Sequence, residues 1–201
     1  MKTLVKMITA YSFNELEEYA RDEAKKKILE YDRLPEFFSE DLTEILKADF
    51  GLHNLKTYYS LSYCQGDGLC LCGKITFDEL FDNKNFKKIA FKGIHHKQIQ
   101  SIYNVLHEID FKHQSRYYYA NSIDIESYEY NPTDKQMAII DKVIKNVKTW
   151  YFSFCREWEK RGYEYFYEMS DDVMKETCWA NDYLFTENGS LINQYEYSEA
   201  V

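Results

Sequence analysis

The sequence predicts an α+β fold: one domain over residues 1–201, with an antiparallel sheet covered by several helices. Three observations carry this. Long segments place apolar residues at helical spacing. A glycine-bearing turn, Gln65-Gly66-Asp67-Gly68, sits between two strand-like runs. No internal repeat or low-complexity linker interrupts the chain, and it holds only two prolines.

The elements follow in order. Residues 3–10 (TLVKMITA) read as a short strand. Ser12 with Glu15 spells a capping box, in which the hydroxyl accepts from the N3 amide and the carboxylate reaches back. Tyr11 ahead of it is placed to staple onto Leu16. Leu16, Tyr19, Ala20, Ala24, Ile28 and Tyr31 then recur at helical spacing, and the helix should stop before Pro35. A second helix, EFFSEDLTEILKADF, closes at Gly51. Tyr59, Leu61 and Tyr63 alternate with Ser60, Ser62 and Cys64, which makes a half-buried strand. Asp67-Gly68 suits a type I′ turn, whose two central residues both need positive φ. The return strand LCLCGKI runs into Thr76, a good N-cap for a short helix FDELF.

A helix is expected around QIQSIYNVLHEI, followed by strands over 109–114 and 117–130. Pro132 and Thr133 announce the longest helix. In it Met137, Ile140, Ile144, Val147, Tyr151, Phe154 and Trp158 keep alternating spacings of three and four. That seam suits a core helix, with a homodimer through helix 134–160 as the alternative, and Gly162 should end it. Ser170 caps a last helix with Asp171 and Asp172 in its first turn, and LFTENGSLI forms a small hairpin turned at Asn188-Gly189.

Charge is unevenly spread. The net charge is −9, and residues 157–201 carry eleven acids against three bases. Residues 84–97 (KNFKKIAFKGIHHK) carry five lysines and no acid. The pattern predicts an acidic face and a separate basic patch. An acidic chain repels nucleic acid except through such a patch. Aromatics make up 17% of the residues, with nineteen Tyr. AT-rich codon usage or an enlarged interaction surface would each produce this enrichment. Five cysteines, an odd number, and no secretory leader point to reduced thiols in a cytoplasm. No segment approaches the roughly 18 apolar residues of a membrane span.

Three pieces resemble one family of small phage and prophage proteins, some of which carry an antitoxin-like label. YSFNELEEYARDEAKKKILEY resembles its YSFxEL opening. YSLSYCQGDGLCLCG resembles its SQGDG hairpin. RYYYANSIDIE, followed by ANDYLFTENGSLI, resembles its later strand and its ANxYxFTExG element. The pieces keep the family's order and span most of the chain. Cys64 replaces the serine before QGDG, Leu71 and Cys72 replace an aromatic, and Tyr119-Ala120-Asn121 replaces a His-Glu-Asn run. No role resting on that His or Glu carries over. The resemblance implies a phage accessory protein acting in a host bacterial cytoplasm.

No catalytic, metal or cofactor residue stands out. QGDG lacks the lysine of a phosphate-binding loop. Cys64, Cys70 and Cys72 have no evident fourth zinc ligand. The sequence reading is therefore an acidic inhibitor that binds a host defence nuclease or effector complex, of anti-CRISPR or anti-restriction type. Its expected partner-binding residues are Gln65, Asp67, Glu157, Tyr163, Glu164, Tyr165, Glu168, Asp171 and Asp172. Surface carboxylates at phosphate-like intervals would let it occupy a nucleic-acid groove, and salt would weaken that binding. One alternative is a nucleic-acid or small-ligand module using Lys84, Lys87, Lys88, Lys92 and Lys97, with Phe86 and Phe91 for stacking. Another is an enzyme acting on a small-molecule defence signal, in which Asp67, Asn121 and a histidine would meet.

Overall fold

A computed structural model describes residues 7–31, 34–167 and 170–192. It has the expected α+β class, with seven α-helices and a four-stranded antiparallel sheet among the described residues. Its contacts divide the chain into two compact units, Pro35–Tyr163 and the pair Met1–Leu34 with Glu164–Val201.

The larger unit holds the sheet. β1 (Leu55–Ser60), β2 (Gly68–Thr76), β3 (Leu106–His113) and β4 (Ile123–Glu129) pair as a meander in sequence order. Tyr58 lies opposite Cys70, Ile75 opposite Ile109, and Phe111 opposite Ile125. Three short helices, α3 (Phe77–Asp82), α4 (Lys84–Ala90) and α5 (His96–Ile102), connect β2 to β3. Thr76 caps α3 as predicted: its hydroxyl accepts from the Glu79 amide while Glu79 accepts from Thr76 N–H at 2.9 Å. The expected helix over QIQSIYNVLHEI is cut short. Residues from Leu106 onward join β3, because a short apolar run fits either period and sheet pairing decides it. The strand expected over 117–130 begins only at Ile123, after a 3-10 turn at Ala120–Ser122.

Two long helices, α2 (Leu34–Phe50) and α6 (Asp134–Tyr167), supply the apolar cover. Tyr151 is fully buried, its ring 5.4 Å from that of Phe111. Phe38 meets Tyr59 edge-on at 5.2 Å, and Phe86 meets Trp150 at 4.8 Å. Ile140, Val147, Tyr151 and Phe154 of the predicted seam are buried in this way. These four positions belong to the chain's own core, while Met137, Ile144 and Trp158 of the same seam are half-buried. Gly162 does not end α6. A Cβ there would strike Leu61 Cδ1 and come within 3.0 Å of Phe38 Cζ, so this glycine lets the helix pack closely and continue.

In the smaller unit, α1 (Glu18–Tyr31) and α7 (Asp171–Ala180) share a core of Phe13, Leu16, Ala20, Ala24, Ile28, Met174, Cys178 and Phe185. The Ser12–Glu15 capping box forms, but it closes a 3-10 turn at Phe13–Glu15. Leu16 is extended (φ −76°, ψ 144°), and α1 starts later. Tyr11 exchanges both backbone hydrogen bonds with Phe185, at 2.8 and 2.9 Å. Phe185 also bridges to Leu191 across the tight turn expected at Asn188-Gly189. Residues 7–10 of the predicted first strand are irregular, and the remainder of it lies outside the described residues.

Candidate functional site

The chain between β1 and β2 is wider than a two-residue turn. β1 stops at Ser60, so residues 61–67 form a loop, and Asp67 is not among the residues with positive φ. The type I′ expectation fails because the Asp67 carboxylate organises a larger loop. It accepts from Ser60 Oγ at 2.8 Å, Ser62 N–H at 2.6 Å, Cys64 N–H at 2.8 Å and Tyr163 Oη–H at 3.0 Å. A carboxylate offers about four acceptor positions, so Asp67 is saturated within its own chain. Slight burial pushes its carboxyl up, but the Cys64 and Ser62 amides, Ser60 and Tyr163 outweigh this and hold it below the usual carboxylate range. The glycines serve close approach as well as backbone shape. A Cβ on Gly66 (φ 94°) would lie 2.5 Å from the Tyr117 ring, and one on Gly68 (φ 154°) would lie 2.6 Å from Tyr119 Cβ.

The loop at 116–119 therefore packs directly on the QGDG loop, and together they carry an exposed aromatic surface. Tyr118 is sandwiched between Tyr58 at 5.3 Å and His113 at 5.0 Å, with interplanar angles of 12° and 13°. His113 Nε2 lies 2.9 Å from the Tyr117 carbonyl oxygen. The Arg116 guanidinium sits 4.8 Å above the Tyr117 ring and donates to its hydroxyl at 2.7 Å. Tyr63 is held at φ 55°, a conformation that bulky residues rarely adopt. Its ring is 65% exposed and leans on Tyr163 at a centroid distance of 4.6 Å. Strained backbone positions of this kind cluster at functional sites.

The predicted partner-binding residues do not converge. Gln65 is exposed at the loop tip. Asp67 and Tyr163 meet, but in the hydrogen bond just described, so Asp67 is not offered to a partner as expected. Three of the acids are neutralised locally. Glu157 pairs with Arg161 at 2.9 Å, Asp172 with Lys175 at 3.4 Å, and Asp171 with both Lys25 and Arg21. The Lys25 hydrogen bond, opposed by slight desolvation, holds the Asp171 carboxyl below its ordinary range. Glu164 is exposed and Tyr165 half-buried against Phe166, both in the smaller unit, while Glu168 lies outside the described residues.

The lysine segment is likewise dispersed. Lys84, Lys88, Lys92 and Lys97 are exposed, whereas Lys87 lies over the Phe81 ring at 3.2 Å. Phe86 and Phe91 are buried core residues, which removes them as stacking surfaces for the alternative reading. His95 is an N-cap, its imidazole accepting from the Lys97 amide. Among the described residues no group of three or more His, Cys, Asp or Glu is placed to hold a metal ion. Burial pushes the Cys155 thiol up to about 12, and donation from Cys70 draws Cys72 down.

The sequence reading missed Tyr58, Arg116, Tyr117 and Tyr118. The signal was the run Arg116-Tyr117-Tyr118-Tyr119, whose three tyrosines open the strand expected over 117–130. Strand side chains alternate between faces, so three consecutive tyrosines cannot all be buried on one face. The exposed Trp179 (84%) in the smaller unit was missed too.

The model of a family described as "Domain of unknown function (DUF8835)" matches residues 35–171, which span the whole of the larger unit. No curated protein and no solved structure matches the chain. Among the described residues no helix is long and apolar enough to cross a membrane.

Proposed function

We propose that this chain, which belongs to the DUF8835 family, is a phage or prophage accessory protein that binds and inhibits a host defence nuclease or effector complex in the bacterial cytoplasm. The observation that carries the binding half of this reading is the tyrosine surface on two interlocked loops. Tyr63 and Tyr118 stand on loops fixed by Asp67 and by the Gly66–Tyr117 approach, with Arg116 alongside. Tyrosine and arginine dominate the energetic centres of protein interfaces, and a pre-ordered loop loses little entropy on docking. The defence setting rests on the resemblance of the ordered sequence pieces to phage proteins.

This reading moves the contact away from the acid-rich segment. The paired state of Glu157, Asp171 and Asp172 favours aromatic docking over imitation of a phosphate backbone. A catalytic role through Asp67 finds no support, since all its acceptor positions are filled.

The test is protection. Bacteria with an active CRISPR or restriction system express the chain and are challenged with a targeted plasmid or phage. The wild type restores transformation or plaque formation, and a folded Tyr63→Ala/Tyr118→Ala variant does not. Absence of protection against every system tried, or full protection by the variant, overturns the reading.

A further inference from the structure

The start of α6 and the segment through α5 enclose a groove that the tyrosine surface does not share. Three lysines line it: Lys97 from α5, and Lys135 and Lys142 about two turns apart on α6. Its apolar lining comes from Ile94, Ala138 and Ile139. Among the described residues no Asp or Glu lines it, although the chain as a whole carries a net charge of −9. No ion pair among the described residues engages Lys97 or Lys135. The groove measures about 680 Å³, inside the span of small-molecule sites.

Its walls are fixed before any ligand arrives. Gln136 Nε2 donates to the Ser101 carbonyl at 2.7 Å and ties the end of α5 to α6. Lys142 Nζ donates to the Gly93 carbonyl at 2.5 Å. One turn further on, Asn146 donates to the Ala90 and Lys92 carbonyls at 3.0 and 3.1 Å. The Gln136 amide oxygen is occupied by the Thr133 amide and hydroxyl, at 2.9 and 2.8 Å. With these polar groups committed, the chemistry left for an occupant is positive charge above an apolar floor.

We infer that this groove binds a low-molecular-weight organic anion, a carboxylate or phosphate joined to an apolar body. The anionic head sits between Lys97 and Lys135, and the apolar part covers Ala138 and Ile139. The size of the groove favours a small molecule over a nucleic-acid track, which would extend along Lys84 and Lys88 instead. The inference does not depend on partner binding, because none of these residues belongs to the tyrosine surface.

The probe is 8-anilinonaphthalene-1-sulfonate, an anion on an apolar ring system, titrated by fluorescence against the full chain. Saturable binding at one site is expected, and N-phenyl-1-naphthylamine, its uncharged counterpart, should bind more weakly. Lys97→Glu/Lys135→Glu should raise the dissociation constant by about tenfold or more, as two attractions become repulsions. Ala138→Trp, which fills the floor without altering charge, should also abolish binding, and Lys84→Glu/Lys88→Glu should leave it unchanged. Circular dichroism confirms that each variant is folded. A nucleoside monophosphate should displace the dye as well as a single-stranded oligonucleotide does, per phosphate. The inference is overturned by an absence of saturable binding, by equal binding of the uncharged compound, by indifference to both groove variants, or by displacement with the oligonucleotide alone.

Discussion

Replacing Asp67 with Asn tests whether one carboxylate builds the exposed loop. The side chain holds two backbone amides and two hydroxyls. Asn keeps the shape but loses the charge, and its NH2 group faces donors instead of accepting from them. Hydrogen bonds to an ionised group contribute about 1.5–3 kcal/mol net, and the loop is open enough for water to recover part of this. A loss of about 2 kcal/mol is therefore expected, a fall in Tm of about 4–8 °C for a chain of this size. Urea denaturation at pH 7 measures it directly. The pH dependence supplies an independent sign. The folded carboxyl titrates below its unfolded value, so the unfolded state binds more protons between the two. The contribution is fully present above the unfolded value, about pH 4, and is lost as pH falls through the folded one. Wild type and Asp67→Asn should thus converge in stability in strong acid and differ most at neutral pH. A difference under about 0.5 kcal/mol at pH 7 would mean that the loop holds itself without this charge, and the reasoning would be refuted.

Three other substitutions or probes have defined outcomes. Gly162→Ala gains about 1 kcal/mol of helix propensity but forces a methyl into Leu61 and Phe38, an overpacking cost of about 1–3 kcal/mol, so urea unfolding should show net destabilisation. Tyr63→Gly relieves a left-handed conformation worth about 1–2 kcal/mol and loses a ring contact of about 0.5–1.5 kcal/mol. Its stability should stay near wild type while protection in the defence assay disappears; a large loss of stability would make Tyr63 structural. A thiol reagent such as DTNB should titrate exposed Cys64 at once, and Cys70, Cys155 and Cys178 only in denaturant; fast labelling of Cys155 in the native protein would contradict its burial.

Local signals in the sequence were readable and distant ones were not. The Thr76–Glu79 and Ser12–Glu15 boxes involve residues three apart, and both form. The QGDG glycines marked a turn, yet their reason lay fifty residues away in Tyr117 and Tyr119. Gly162 carried the usual sign of a helix stop. Only the side chains of Leu61 and Phe38, far off in sequence, reveal it as a packing glycine. The acids failed for the same reason. Asp171 looked like helix-dipole chemistry and free negative charge, but Lys25 and Arg21 cap it from across the smaller unit. Likewise the basic groove draws one lysine from the segment that the sequence singled out and two from a helix read only for its apolar seam.

Composition alone does not locate the charge available to a partner, and a salt series decides between the two proposed ways of binding one. A phosphate mimic with six to ten effective contacts should lose about 10³–10⁵ in affinity between 50 and 200 mM salt. The carboxylates best placed for that role, Glu157, Asp171 and Asp172, already carry lysine or arginine counter-charges. The tyrosine surface presents rings, hydroxyls and the single charge of Arg116. Contact through it buries apolar area, which salt does not screen, and one charge contributes a weak dependence. Once a partner complex is reconstituted, its dissociation constant should therefore change by less than about tenfold over that range. A steeper loss would return the contact to the acid-rich segment and would make the tyrosine loops a scaffold rather than the interface.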